Sequence, residues 1–491
     1  MQNTETAPIE DNPQEWTRPR KLLIRGGTVV TPVDTFWADI LILGETIVQV
    51  GRDIREPDAE VVDASGTYIL PGGVDPHTHF ALPMFQTVSS DDHYSGTKAA
   101  AFGGTTTVLD FIPQEYPTLM KGFEIWSRKA REQAAVDYSF HINITNASYD
   151  MLREVPKLLK QGITTLKVFM AYNGRLRLQD GEIFRVLRLA EDLKMLTMLH
   201  AENGDVIDYL VDDVLMAGLK APQWHAVTRP AWGAAESLLR GAALAAQAAS
   251  SIYIVHMNSA LEVDLLKYAR DKGIRVMGET CPQYLLFTAE ALQRPDGAKW
   301  ICSPPLRTSA DNDALWRGLR NGTIQTIGTD HCPFFYDGTR PILYEGREVM
   351  IPGKELGAED FTQIPNGVPM VGDRLPVLWT AGVGAGRISM NQFVEFTSAN
   401  PARIFGLYPK KGAILPGSDA DLVLWDPKKK LTYGVKHSHH RTDYNLFEGW
   451  ELKGMPAKVF LRGNLIVDGN RWLGKAGMGK FLYRKPGAEF I

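Results

Sequence analysis

Residues 70–80 read LPGGVDPHTHF, a proline–glycine crossover followed by two histidines one residue apart. Upstream, KLLIRGGTVV (21–30), ADILILGETIVQVG (38–51) and VVDASGTYIL (61–70) are short β-branched runs broken by glycine turns, the pattern of an antiparallel β unit. Downstream the rhythm becomes strand, helix, strand. The stretch therefore marks the passage from a β unit into a repeating α/β domain. His77 and His79 stand at positions i and i+2 of that domain's first strand, which turns both imidazoles to one face.

Eight apolar runs continue the pattern: VDPHTHF (74–80), TTTVLDFI (105–112), YSFHINIT (138–145), ITTLKVFM (163–170), LTMLHAE (196–202), SIYIVHM (251–257), IRVMGET (274–280) and IQTIGTD (324–330). Helical stretches such as GAAESLLRGAALAAQAA (233–249) and DNDALWRGLRN (311–321) separate most of them. Near-continuous apolar runs suit strands buried on both faces, and eight of them predict a (β/α)8 barrel of the TIM type. An open, doubly wound sheet is the competing architecture. Strand-like runs return in ADLVLWD (420–426) and KVFLRGNLIVDGN (458–470). Neither end could bury a core alone, so both are expected to join in one β-sandwich beside the barrel. The expected organisation is a tail (1–20), the N-terminal strands of the sandwich (21–70), the barrel (71–405), the C-terminal strands of the sandwich (406–470) and a C-terminal extension (471–491).

Composition narrows the function classes. The 491 residues are 44% hydrophobic and 22% charged with a net charge of −4, ordinary for a globular enzyme. No basic stripe points to nucleic acid, and no run of eighteen apolar residues predicts a membrane span. Three dispersed cysteines, Cys281, Cys302 and Cys332, argue against a disulfide framework and fit a reducing cytoplasm. The first twenty residues lack the pattern of a signal peptide.

Chemistry-bearing residues collect at strand ends. An isolated His-x-His is a weak motif. However, His200 closes the fifth strand, His256 the sixth and Asp330 the eighth. In a barrel these ends meet at the C-terminal mouth, where sites are built. Four histidines and an aspartate there predict a metal site. Lys167 lies inside the apolar fourth strand, where an unpaired ammonium is costly and two divalent cations would repel it. A lysine carboxylated by carbon dioxide would instead offer two anionic oxygens able to bridge two metals. His141 reads as structural, and His93, His225 and His331 carry no assigned role.

The constellation resembles the dihydropyrimidinase and hydantoinase (cyclic amidase) group of metal-dependent amidohydrolases. The resemblance spans residues 21–485 and rests on LPGGVDPHTHF, AAFGGTTTVLDF, LKVFMAY, HAENGDVIDYL, VHM, GETCPQYL, SPPLR, GTDHCPF, IPNGVP and GSDADLVLWDP, in the family's order. It implies one divalent metal on His77, His79 and Asp330, a second on His200 and His256, and carboxylated Lys167 between them with a hydroxide. Zinc is the first expectation, with manganese or cobalt as the others. Asp330 would move the proton from water to the leaving ring nitrogen, and the Tyr172 hydroxyl would stabilise the oxyanion. Ser303 and Asn366 would hold the ring amide through backbone groups. Leu82, Met84, Phe85, Phe169 and Leu176 would gate the substituent side.

The resemblance also addresses the substrate, a small cyclic ureide. Dihydroorotase-like relatives carry an arginine two residues after the second histidine, where this chain has Ala81. Without that bidentate partner an acidic ring is disfavoured. Ring opening of dihydropyrimidines or 5-substituted hydantoins to N-carbamoyl amino acids is the expected reaction, with allantoinase as an alternative. Collapsin response mediator proteins share the fold as scaffolds but lack the ligands, and the intact set here favours the enzyme. The stretch 334–363 is longer than the family leads one to expect, and could cover the substrate, decorate the surface or meet another subunit. KHSHHR (436–441) is expected in an exposed loop or oligomer contact. The C-terminal extension is expected to reach a neighbour in a homotetramer or homodimer.

Overall fold

The computed structural model describes residues 20–487 except Phe85 and Glu345, so the expected tail falls outside it save for Arg20. All eight expected barrel strands form: Gly73–Thr78, Thr105–Ile112, Asp137–Asn143, Thr165–Phe169, Leu196–His200, Ile252–Ile254, Val276–Thr280 and Thr326–Ile327. They pair parallel in chain order. An isolated parallel bridge joins Thr78 to His331, and the His79 amide donates to the His331 carbonyl at 2.8 Å. The last strand's exit thus meets the first strand, and the sheet closes into a barrel rather than staying open.

The eight strands are buried along their whole length, which accounts for their apolar runs. Val74, Leu109, Phe111, Leu196, Met198, Tyr253 and Met277 form one cluster with Phe405, Leu407 and Leu482. A second, larger cluster joins strand side chains such as Val108, Ile142 and Val168 to the helices, through Trp126, Val186 and Leu238. Periodicity sets which side chain of each strand enters which cluster.

Strands from both chain ends join in one continuous nine-stranded sheet. Leu422 and Leu424 pair with Pro71 and Ile69, the two strands running antiparallel. This sheet owns a separate apolar cluster, with Ile24, Ile40 and Ile69 from one end and Leu422, Leu424 and Phe460 from the other. The crossover follows directly. A Cβ on Gly72 would collide with the Thr106 side chain, so glycine lets the chain pass from this sheet into the barrel.

The C-terminal segment runs along this chain's own barrel. The Tyr138 amide donates to the Lys480 carbonyl and the Leu482 amide to the Tyr138 carbonyl, at 3.0 and 2.8 Å. Arg484 is buried and donates to Ser139 Oγ and Thr165 Oγ1, both at 3.0 Å. The KHSHHR stretch departs from expectation. His440 is buried, its Nε2 accepting from the Gly372 amide at 2.9 Å, and His439 stacks on Phe102 with 3.5 Å between ring centres.

Candidate metal centre

The strand ends bring the predicted ligands together. His77 Nε2 and His79 Nε2 each lie 3.1 Å from the same oxygen of Asp330. These three residues form a group able to hold a metal ion. His200 Nδ1 and His256 Nε2 lie 2.9 Å apart, and the His77 and His256 rings stack at 5.6 Å. The two pairs are therefore neighbours within one site.

Lys167, 2% exposed, stands between them. Its Nζ lies 5.0 Å from the centre of the Phe111 ring and 5.3 Å from that of Phe169. Phe111 packs on His77 and His79, at 4.7 and 4.9 Å, and Phe169 packs on His200 at 5.8 Å. Burial lowers the amine to about 8, although Asp330 and Glu279 pull the other way.

Two carboxylates that sequence reasoning passed over complete the arrangement. Glu279 Oε1 lies 2.7 Å from His77 Nδ1 and Glu202 Oε2 lies 2.9 Å from His200 Nε2. A carboxylate there favours the imidazole proton at that nitrogen and turns the opposite nitrogen into the site, where it could bind a metal. Glu279 is held by the Tyr253 hydroxyl and the His256 amide, at 3.0 and 3.2 Å, and Glu202 by Arg229 at 3.0 Å. Gly328 makes room, since a Cβ there would stand 2.5 Å from Glu279 Oε2. Both glutamates lie inside the quoted motifs GETCPQYL and HAENGDVIDYL. A carboxyl in a buried strand, and one two residues past a predicted ligand histidine, were the signals available.

Charge follows geometry. Burial alone would lower His77, but Glu279 and Asp330 outweigh it and raise it to about 9. Burial lowers His79 and His200, and takes His256 well below its usual value. Burial would raise Asp330, yet His77 and the hydrogen bonds from His77 and His79 hold it far below the carboxylate range. The His79 and His256 Nδ1 atoms are buried without a hydrogen-bond partner. Imidazole nitrogens and a carboxylate oxygen converging on one point are the donor set of a transition-metal site, and the residues fit divalent metals.

Backbone strain clusters at the same place. His256, Asp330, Tyr172 and Ala81 have φ of +42°, +52°, +66° and +49°, a region L-residues adopt at a cost. The Tyr172 ring lies 5.2 Å from His200, and burial raises its phenol. The turn after it is closed by the Leu176 amide on the Tyr172 carbonyl at 3.0 Å, so half-buried Leu176 sits beside Tyr172. Asn366 Nδ2 donates to Ser303 Oγ at 3.0 Å. Leu82 and Met84 are half-buried in a turn where the Ala81 amide donates to the Asp91 carbonyl at 2.8 Å. Phe85 lies outside the described residues.

His141, read as structural, and the unassigned histidines have other partners. His141 lies 3.0 Å from the Pro76 carbonyl, His225 Nε2 2.9 Å from the Cys302 carbonyl, His93 3.2 Å from Asp110 and His331 3.1 Å from Asp91.

The pattern of the amidohydrolase family matches residues 68–218 and 228–466. The D-hydantoinase of Geobacillus stearothermophilus is 44% identical over 466 residues, 94% of this chain and 96% of that one. The D-hydantoinase of Streptomyces coelicolor is 40% identical over 473 residues, 94% of this chain and 98% of that one. The crystal structure of dihydropyrimidinase from Brevibacillus agri superposes with a TM-score of 0.91 at 45% identity, covering 96% of this chain and all of that one (100%). A barrel whose strand ends converge on a histidine–aspartate metal group, matched along nearly its whole length, places this chain in the amidohydrolase family, within its hydantoinase and dihydropyrimidinase group.

Proposed function

We propose that the protein opens cyclic ureides, 5-substituted hydantoins or dihydropyrimidines, to N-carbamoyl amino acids by hydrolysis. The observation that carries this reading is the convergence of His77 Nε2 and His79 Nε2 on one Asp330 oxygen at 3.1 Å. The relatives named D-hydantoinase support a preference for the D side of the hydantoin ring.

Two divalent metals, zinc first, would be held by His77, His79 and Asp330 and by His200 and His256, with carboxylated Lys167 shared. When bound they polarise the amide carbonyl and make water acidic enough to act near neutral pH. Lys167 supports the carboxylation through its depressed basicity, because only a neutral amine adds carbon dioxide. Asp330, held ionised, takes the proton from water and returns it to the ring nitrogen as the C–N bond breaks. Tyr172, kept protonated by burial, donates to the oxyanion. Ser303 and Asn366 orient the ring amide through main-chain groups, and Leu82, Met84, Phe169 and Leu176 face the substituent.

No helix among the described residues is long and apolar enough to cross a membrane. The three cysteines are buried and free, which supports a cytoplasmic location. Val206, Tyr209 and Met216 are exposed on the helix Gly204–Met216, an apolar face that supports a homotetramer or homodimer, readable by light scattering. The deciding experiment measures metal content alongside turnover of 5-substituted hydantoins, dihydrouracil, allantoin and cyclic imides. Metal-bearing protein that opens hydantoin or dihydrouracil is the expected result. Purified protein without metal or turnover would overturn the reading.

A further inference from the structure

The long stretch between Asp330 and Asn366 forms a hairpin, Arg340–Tyr344 with Arg347–Ile351, whose base is tied to two sides of the mouth. On one side the Thr87 hydroxyl donates to the Pro352 carbonyl at 2.6 Å and the Ser90 amide to the Pro333 carbonyl at 2.8 Å. Val88 packs there against Phe335, Ile342 and Ile351. On the other side stands Lys354, only 1% exposed. Its Nζ donates to the carbonyls of Ile301 and Pro365, each at 3.1 Å.

Those two carbonyls belong to different loops. Ile301 lies two residues before Ser303, and Pro365 immediately precedes Asn366. The Gly367 amide donates to the same Ile301 carbonyl at 3.0 Å. A buried amine is an expensive way to fill space, and a leucine or methionine would fill it at less cost. What the amine adds is two directed hydrogen bonds. Burial lowers it to about 7, with the Cys302 and Cys332 thiols as its neighbouring titratable groups. A neutral amine still has two hydrogens, so both bonds survive deprotonation.

We propose that Lys354 is a positioning residue that staples segment 301–303 to segment 365–367, fixing the spacing of the ring-amide groups. Through Pro352 the same strut is joined to the 83–88 turn, so one insert sets both the amide side and the substituent side of the mouth. The inference rests on reading the site as a cyclic ureide hydrolase.

Lys354→Met in the full-length, metal-loaded protein keeps the stem and removes both donors. A misplaced binding group costs about 10–100-fold in kcat/KM, and the staple predicts that this loss falls on KM for hydantoin, with kcat and metal content near the parent's. Lys354→Gln, which retains N–H donors on a shorter stem, should recover some of the loss. Hydrogen exchange reads the staple without substrate, with the Gly367 amide exchanging faster in Lys354→Met. A lowered Tm with parental KM and parental Gly367 exchange would make Lys354 merely structural and overturn the proposal. If Lys354→Met does not fold, the same readings on Lys354→Leu, which also lacks both donors, decide. A parent that opens no cyclic ureide would overturn the reading of the site, whereas unchanged Gly367 exchange overturns the staple alone.

Discussion

Two buried histidine clusters lie close together in this molecule, and they are built to opposite rules. At the mouth, His77 Nδ1 and His200 Nε2 lie against Glu279 and Glu202, and the opposite nitrogens face Asp330 and His256. Behind the mouth, His331 and His440 pack with their rings 5.1 Å apart. There the lone pairs meet donors. His331 Nδ1 accepts from the Met370 and Val371 amides at 2.9 and 3.2 Å, and His440 Nε2 accepts from the Gly372 amide at 2.9 Å. The His331 Nε2 proton goes to Asp91. Both clusters hold histidine beside carboxylate deep in the protein. What separates a metal site from a structural one is where the lone pairs point and whether backbone N–H groups already occupy them.

The comparison breaks most severely if Lys167 proves dispensable. Lys167→Ala should lose activity to background and lose at least one metal by elemental analysis, and retention of both metals would remove its bridging role. Tyr172→Phe should cost about 10²–10³ in kcat, the scale of one oxyanion donor, with metal content unchanged. Glu279→Gln takes the charge from the group that orients His77, so metal affinity measured by competition with a chelator should fall about 10–100-fold.

The cluster behind the mouth makes the smallest and most distinct prediction. Buried Asp373 accepts from Tyr433 and Asn445, both at 2.7 Å, and burial raises it to about 7. Glu262, buried elsewhere, is likewise raised to about 7 by burial. The folded state holds protons that the unfolded state releases near pH 4. Their stabilisation is therefore full below about pH 4 and is lost as pH rises through about 7, at no more than about 1.4 kcal/mol per pH unit for each group. Asp373→Asn should flatten the fall of Tm between pH 5 and 8 without changing metal content. A parental slope would show that Asp373 does not titrate there.

Much of the fold was legible because its signals are local. The apolar runs that marked eight strands depend on each strand's burial on both faces, and all eight form, Thr105–Ile112 with the expected boundaries and the others shifted by one to a few residues. The ends of the chain were legible for the same reason, since each carried strands too few to bury a core. His77, His79, His200, His256 and Asp330 could be picked out because each ends or closes a strand in a fold whose strand ends converge. His440 was misjudged because a run of polar residues does not reveal that one of them turns inward. Neither the two glutamates behind the ligands nor Lys354 could be singled out, because a lone carboxyl or amine in a sequence does not announce its partner.

The amino-acid sequence alone determined the strand count, the residue types at the strand ends and, through Ala81, the missing arginine that an acidic ring would need. Tertiary structure decided which nitrogen of His77 and of His200 turns into the site, because that depends on groups placed by the fold, as His77 does on Glu279, 202 residues on. It also decided the left-handed backbone of His256, Asp330 and Tyr172, a strain that only closed packing around the mouth can hold. Periodicity is carried by neighbours in sequence, whereas the direction of a lone pair is set by neighbours in space.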